Sequence, residues 1–151
     1  MSSNNRTLID KIHAKLSTDE TLSGYVKSFT KGDMNTARML FPFVSVGNLS
    51  YTLQPHSTVY DKYIYTVEIL AGTHSIAPGV AFRGTNDGGK KGILQLCGDI
   101  TAVLRNNTLD NFLTIPISEI QFWHGKGKKS SYSLWLCTIS LKAVRLQMRA
   151  G

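Results

Sequence analysis

From Leu134 to Leu141 the chain reads Leu-Trp-Leu-Cys-Thr-Ile-Ser-Leu, apolar at both parities of an extended strand. A strand that faces water on one side alternates, because successive side chains point to opposite faces. One that is apolar on both faces belongs in the middle of a sheet. The whole run Tyr132 to Leu146 therefore reads as a long central strand. A second strand from Tyr60 to Leu70 has the cleaner period: Tyr63, Tyr65, Val67 and Ile69 point one way, and Ile64, Thr66, Glu68 and Leu70 the other.

Such a sheet needs cover, and two segments have the period for it. Ile93, Leu96, Cys97, Ile100, Val103 and Leu104 recur at helical spacing, and Asn106-Asn107 suits the helix end. Their apolar face is expected to pack onto the strand Trp135–Leu141. Near the N-terminus Leu8, Ile9, Ile12 and Leu16 repeat in the same way, with Asp10, Lys11 and Lys15 on the other side. Asp19 and Glu20 suit the start of a short second turn through Leu22.

The other stretches are less regular. Tyr25 to Phe29 reads as a strand, although its apolar residues also fit a helix. Leu40 to Val46 is an apolar strand with Pro42 at its start or edge, and Gly47-Asn48 breaks it. Leu49 to Val59 reads as a mobile hairpin or loop. Gly72 to Gly92, rich in Gly and Pro, reads as one long loop, a length usually reserved for function. Ile115 to Trp123 is a further strand, and Gly125 to Lys129 a flexible basic tip. Helix, strands, helix and strand pair, without a βαβ rhythm or repeat, make an α+β class.

At 151 residues the chain is expected to be one domain that needs no metal or disulfide to hold it. Cys97 and Cys137 lie in apolar runs, far apart and without a His or Cys at ligand spacing, so they read as buried thiols in a reducing compartment. The N-terminus lacks a signal-peptide core, and no run approaches the roughly 18 apolar residues of a membrane span. A cytosolic site of synthesis and no membrane partner are expected. Charged residues are only 18% of the chain. Surface reserved for partners explains that, and so does a surface rich in Ser, Thr and Asn.

Net charge is +7, with lysines gathered at Lys90-Lys91 and at Lys126, Lys128 and Lys129. Gly84-Thr85-Asn86-Asp87-Gly88-Gly89-Lys90-Lys91 has the glycine and lysine spacing of a phosphate-binding P-loop, following Val80-Ala81-Phe82 and opening a helix. The next residue in that motif holds magnesium through a hydroxyl, and here it is Lys91. The loop is therefore expected not to bind nucleotide. His13, His56, His74 and His124 show no metal spacing, and Asp110 and Glu119 are isolated carboxylates. No enzyme and no cofactor are expected. For nucleic acid, Trp123 followed by the Lys126–Lys129 tip comes nearest to an aromatic and basic binding pattern, enough for weak attraction to a phosphate backbone.

Phe41-Pro42-Phe43-Val44-Ser45-Val46, the strand Tyr63–Ile69, the helix Gly92–Asn106, and the closing strands Ile115–Trp123 and Trp135–Leu146 form a series. Preceded by the helix Leu8–Leu16, it resembles the tail terminator (tail completion) proteins of long-tailed bacteriophages over about residues 5–147. The resemblance implies an α/β sandwich, its mixed and largely antiparallel sheet flanked by the N-terminal and central helices. It also implies a homo-oligomeric ring, a hexamer, that caps the tail tube protein, stops tube growth and docks the head–tail connector protein. The chain would then belong to the tail or neck of a virion. Arg83, Lys90, Lys91, Trp123, Lys126, Lys128 and Lys129 are the expected contact residues, toward neighbours or toward DNA in the channel. The basic balance and long central loop depart from the family, which leaves a head–tail joining protein, a tube subunit or a nucleic-acid module as alternatives.

Overall fold

The computed structural model describes residues 4–32, 40–105, 108–109, 112–126 and 133–149. Along the chain run α1 (Asn4–Ser17), α2 (Glu20–Ser23), β1 (Ser28–Lys31), β2 (Phe43–Pro55), β3 (Tyr60–Ser75) and α3 (Pro78–Arg83). After them come α4 (Ile93–Leu104), β4 (Thr108–Leu109), β5 (Phe112–Lys126) and β6 (Ser133–Met148). The strands form one six-stranded sheet in the order β1-β2-β3-β6-β5-β4. Only β1 and β2 are parallel, and every other pair is antiparallel. The α+β class and the mixed, largely antiparallel sheet are as expected.

Periodicity explains the main packing. Tyr65, Val67, Ile69 and Ala71 of β3 and Cys137, Ile139, Leu141 and Ala143 of β6 are buried on one face of the sheet. They meet Leu8, Ile12 and Leu16 of α1 and Ile93, Leu96, Ile100 and Leu104 of α4 in one apolar cluster, with Val103 packed against it. Both helices thus lie on the same face. On the opposite face Leu134, Leu136, Thr138 and Ser140 of β6 are half-buried, and the fully buried Phe43 lies over Gly72. A Cβ at Gly72 would stand 2.3 Å from the Phe43 ring, so the close approach requires glycine. Asp19 caps α2 by accepting the Leu22 N–H at 3.1 Å.

Four expectations change. Tyr25 to Phe29 is not a strand throughout: the Tyr25 and Val26 amides bond back to the Leu22 carbonyl at 3.2 and 2.8 Å, and pairing begins only at Ser28, opposite Phe43. Gly47-Asn48 does not break β2. Asn48 adopts φ 48°, and the pairing with β3 shifts between Gly47 and Leu49, the mark of a β-bulge. Leu49 to Val59 is accordingly no loop, because β2 continues to Pro55, paired with Asp61. Gly72 to Gly92 is no single loop either. Its start completes β3, and Pro78, well placed in a first helical turn, opens α3. That helix docks on its own sheet, where the Thr73 hydroxyl donates to the Ala81 carbonyl at 2.5 Å.

The bulge sets the face of everything beyond it. Val44 and Val46 pair with Ala71 and Ile69, while Leu49, Tyr51 and Leu53 pair with Val67, Tyr65 and Tyr63. One extra residue changes the parity, so all five side chains share the helix-bearing side. Past Leu49 this side runs out from under the helices. Tyr51 and Leu53 are 51% and 52% exposed, and Tyr51, Tyr63 and Tyr65 form a ring cluster with centroids 5.6 to 6.1 Å apart. The result is an arm of β2, β3 and β6, with β5 alongside β6 as far as Val144, closed at its end by an Arg149–Asp61 ion pair at 2.7 Å.

The two thiols, distant in sequence, meet where α4 crosses β6. Both are free and buried, and the hydrogen bond between them, with burial, pushes the Cys137 thiol well up from its ordinary range.

Candidate interaction surfaces

The P-loop-like segment joins two helices, α3 and α4, not a strand and a helix as the phosphate motif requires. Val80-Ala81-Phe82, which precedes it, is helical. The loop also supplies its own anion. Asp87 Oδ1 accepts from the Thr85 hydroxyl at 2.6 Å and from the Gly89 N–H at 2.9 Å. These bonds hold the Asp87 carboxyl below its usual value. Lys90 N–H is taken by Thr85 Oγ1 at 3.0 Å, and Thr85 N–H by the Lys90 carbonyl at 3.0 Å. Several donors that would cradle a phosphate are thus occupied, and a carboxylate stands among them. An ATP titration of the wild-type protein is expected to show no binding, and Lys90→Ala to leave that flat curve unchanged; micromolar, magnesium-dependent binding would contradict it.

Gln95 clamps the feet of this loop. Its Nε2 donates to the Arg83 carbonyl, and its Oε1 accepts the Gly92 N–H at 2.9 Å. Gly84, at φ 79°, and Gly92 lie backbone to backbone: a Cβ on Gly92 would stand 2.4 Å from the Gly84 nitrogen and the Phe82 oxygen.

Fastened in this way, the loop places Lys90 and Lys91 over a cleft of about 340 Å³ that is also lined by Tyr25, Lys27, Phe41 and His74. Phe41 stacks on His74 with centroids 4.3 Å apart. The Lys91 ammonium lies 5.9 Å from the centre of the Tyr25 ring, within cation–π range. The Tyr25 hydroxyl donates to Asp99 Oδ2 at 2.6 Å. Burial first, and then the bond to Asp99, push the Tyr25 hydroxyl well above its ordinary value. Because the folded state raises this pKa, its contribution is complete below the unfolded value of about 10 and is lost as pH climbs beyond it. Tyr25→Phe is therefore expected to flatten the alkaline fall in melting temperature above roughly pH 10, as read by circular dichroism.

Of the contact residues expected from sequence, Lys90 and Lys91 share this cleft. Arg83 is exposed in the last turn of α3 and is not among the residues lining it. Lys126 ends β5, paired with Ser133, which pairs in turn with Ser75. It thus belongs to the same end of the sheet as His74 and the cleft. Lys128 and Lys129 lie outside the described residues, as does Asp110. Trp123 is 52% exposed on β5, and its indole N–H donates to Thr138 Oγ1 at 3.4 Å. Lys27, Tyr25, Phe41 and His74 are not among the contact residues expected from sequence, because separate segments bring them together and no local spacing announces them. Among the described residues no three His, Cys, Asp or Glu side chains gather as a metal would need.

Apolar side chains are also exposed away from the cleft. Besides Tyr51 and Leu53 on the arm, Ile120 and Phe122 on β5 are 40% and 41% exposed. They are paired with Ile139 and Cys137, and so share the helix-bearing side.

No family model matches the sequence, and no curated protein does. A solved structure described as the virion of a native gene transfer agent (GTA) particle contains a chain of similar fold. The match has a TM-score of 0.59 at 10% sequence identity and covers 95% of this chain and 99% of that one. Two chains this different in sequence thus share a fold from end to end.

Proposed function

We propose that the chain is a structural protein of a phage-like virion and acts as a tail terminator. It forms a ring, a hexamer, on the last layer of tail tube protein, halts tube growth and offers the head–tail connector protein a docking face. The observation that carries this reading is the end-to-end likeness to a chain of a virion particle, in agreement with the order of elements that resembles tail terminators. The exposed apolar groups on β2 and β5 suit a protein that works in contact with copies and partners. The cleft bearing Lys27, Lys90 and Lys91 suits an acidic partner surface, or DNA in the channel.

Negative-stain microscopy of the purified protein, alone and with tail tubes, tests the proposal. Rings on tube ends and tubes of arrested length are the expected result. A protein that stays monomeric at assembly concentrations both alone and with tubes would overturn it. Lys90→Glu with Lys91→Glu is expected to preserve the fold and weaken attachment, and added salt to reproduce part of that loss.

A further inference from the structure

Among the described residues, each outer strand covers only part of its neighbour. β1 pairs with β2 over Phe43–Val46 alone, which leaves the outer edge of Leu49–Pro55 without a partner strand. β4 pairs with β5 only at Phe112 and Leu113, which leaves the outer edge of Glu119–Lys126 likewise open. Open edges invite pairing, and proteins usually blunt them with charges, prolines or bulges. Here the charges and the proline stand only at the limits, at Glu119, Lys126 and Pro55, and the residues between them carry no carboxylate, lysine or arginine.

We infer that these two edges are made for each other: Leu49–Pro55 of one copy pairs antiparallel with Glu119–Lys126 of the next, joining their sheets. Strand polarity permits it. β2 runs opposite to β3, β3 to β6 and β6 to β5, so an unflipped second copy presents its β2 antiparallel to β5 of the first. The faces match as well. Leu49, Tyr51 and Leu53 lie on the helix-bearing side of β2, and Ile120, Phe122 and His124 on that side of β5. Placing Tyr51 opposite Phe122 brings Leu49 to His124 and Leu53 to Ile120. The other face then aligns Ser50, Thr52 and Gln54 with Trp123, Gln121 and Glu119. Cross-strand aromatic and aliphatic pairs of this kind stabilise sheets.

The same register largely spares the existing edge strands. With the extra residue Asn48 counted, the incoming copy's Val46, where β1 ends, comes level with Lys126, so the paired stretch within these edges is Leu49–Gln54 against Glu119–His124. Phe43–Ser45 fall beyond Lys126, and Pro55 stops short of Phe112 and Leu113, where β4 sits. Successive copies are offset along the strands, since Tyr51 lies level with Ala143 of β6 and Phe122 with Cys137. That offset is about 20 Å at ~3.3 Å per residue. A head-to-tail contact between two different edges makes rings or filaments, and a constant stagger is what a closed, tilted barrel requires. The pairing rests on the two edges; only its closure into a ring rests on the terminator reading.

Cysteine pairs in the full chain test the register under mild oxidation, with tail tubes present and absent. Tyr51→Cys combined with Phe122→Cys is expected to give a ladder of covalent dimers, trimers and longer species. Either substitution alone should stop at dimers, and Tyr51→Cys with Trp123→Cys, on opposite faces, should give no ladder. Leu53→Cys with Ile120→Cys repeats the test in the same register if loss of Tyr51 disturbs the arm. No ladder from either matched pair, or an equal ladder from the mismatched one, overturns the pairing. Rings on tube ends without a matched ladder would leave the terminator reading standing and sink this inference. A matched ladder without tube capping would support the pairing and count against the terminator.

Discussion

Ile100→Ala is expected to destabilise the fold by about 2–5 kcal/mol, the range for removing a large aliphatic side chain from a packed core. Ile100 is fully buried in the cluster shared by α4, α1 and the sheet. It stands one helical turn from Leu96 and from Leu104, both in the same cluster, so the cavity would open in the middle of the contact. Urea unfolding followed by circular dichroism reads the loss. A change below ~0.5 kcal/mol, the usual size of a surface substitution, would show that α4 does not dock through this face.

Gly92→Val is the second large effect. The backbone of Gly92, at φ −89° and ψ −179°, is open to any residue, so the cost arises from contact alone. The added Cβ would meet the Gly84 nitrogen and the Phe82 carbonyl at 2.4 Å. These are backbone atoms with no rotamer to turn away, and one foot of the loop must move. Overpacking of this kind costs about 1–3 kcal/mol, and the displacement would also break the bond between the Gly92 N–H and Gln95. Thermal unfolding should drop. Hydrogen exchange should speed up at Thr85 and Lys90, whose amides are held within the loop, while exchange across the β3–β6 ladder stays slow. Unchanged protection in the loop would contradict the account.

The two cases differ in how far sequence alone anticipates them. Helix α4 is readable because its face is defined by residues three and four apart within one segment, and the same holds for the alternation in β3. The arm escapes a segment-by-segment reading for a physical reason that the sequence does contain. Apolar residues occupy even positions at Val44 and Val46 and odd ones at Leu49, Tyr51 and Leu53. A change of parity across Asn48, a residue that tolerates positive φ, is the signature of a bulge, not of a strand end. Helix α3 was hidden by Pro78 and Gly79, which read as loop residues although proline is at home in a first helical turn. Neither the cleft nor the open edges has a local signal. Lys27, His74 and Lys91 become neighbours only through the order of strands, and a strand is an edge only by virtue of what does not pair with it.

The β3–β6 ladder runs without interruption from Tyr60 opposite Met148 to Ser75 opposite Ser133. The bulge in β2 and the register shift in β5 both lie outside it. This continuity gives the molecule a mechanical axis. A load applied along the strands is shared by every rung at once, and the pair resists it in shear. A load across the strands at one end would meet the rungs singly and peel them. The ladder therefore acts as a stiff strut between the cleft at the Ser75 end and the aromatic arm at the Tyr60 end. A push received at the cleft reaches the tip of the arm, up to about 50 Å away at ~3.3 Å per residue, as displacement of a rigid body.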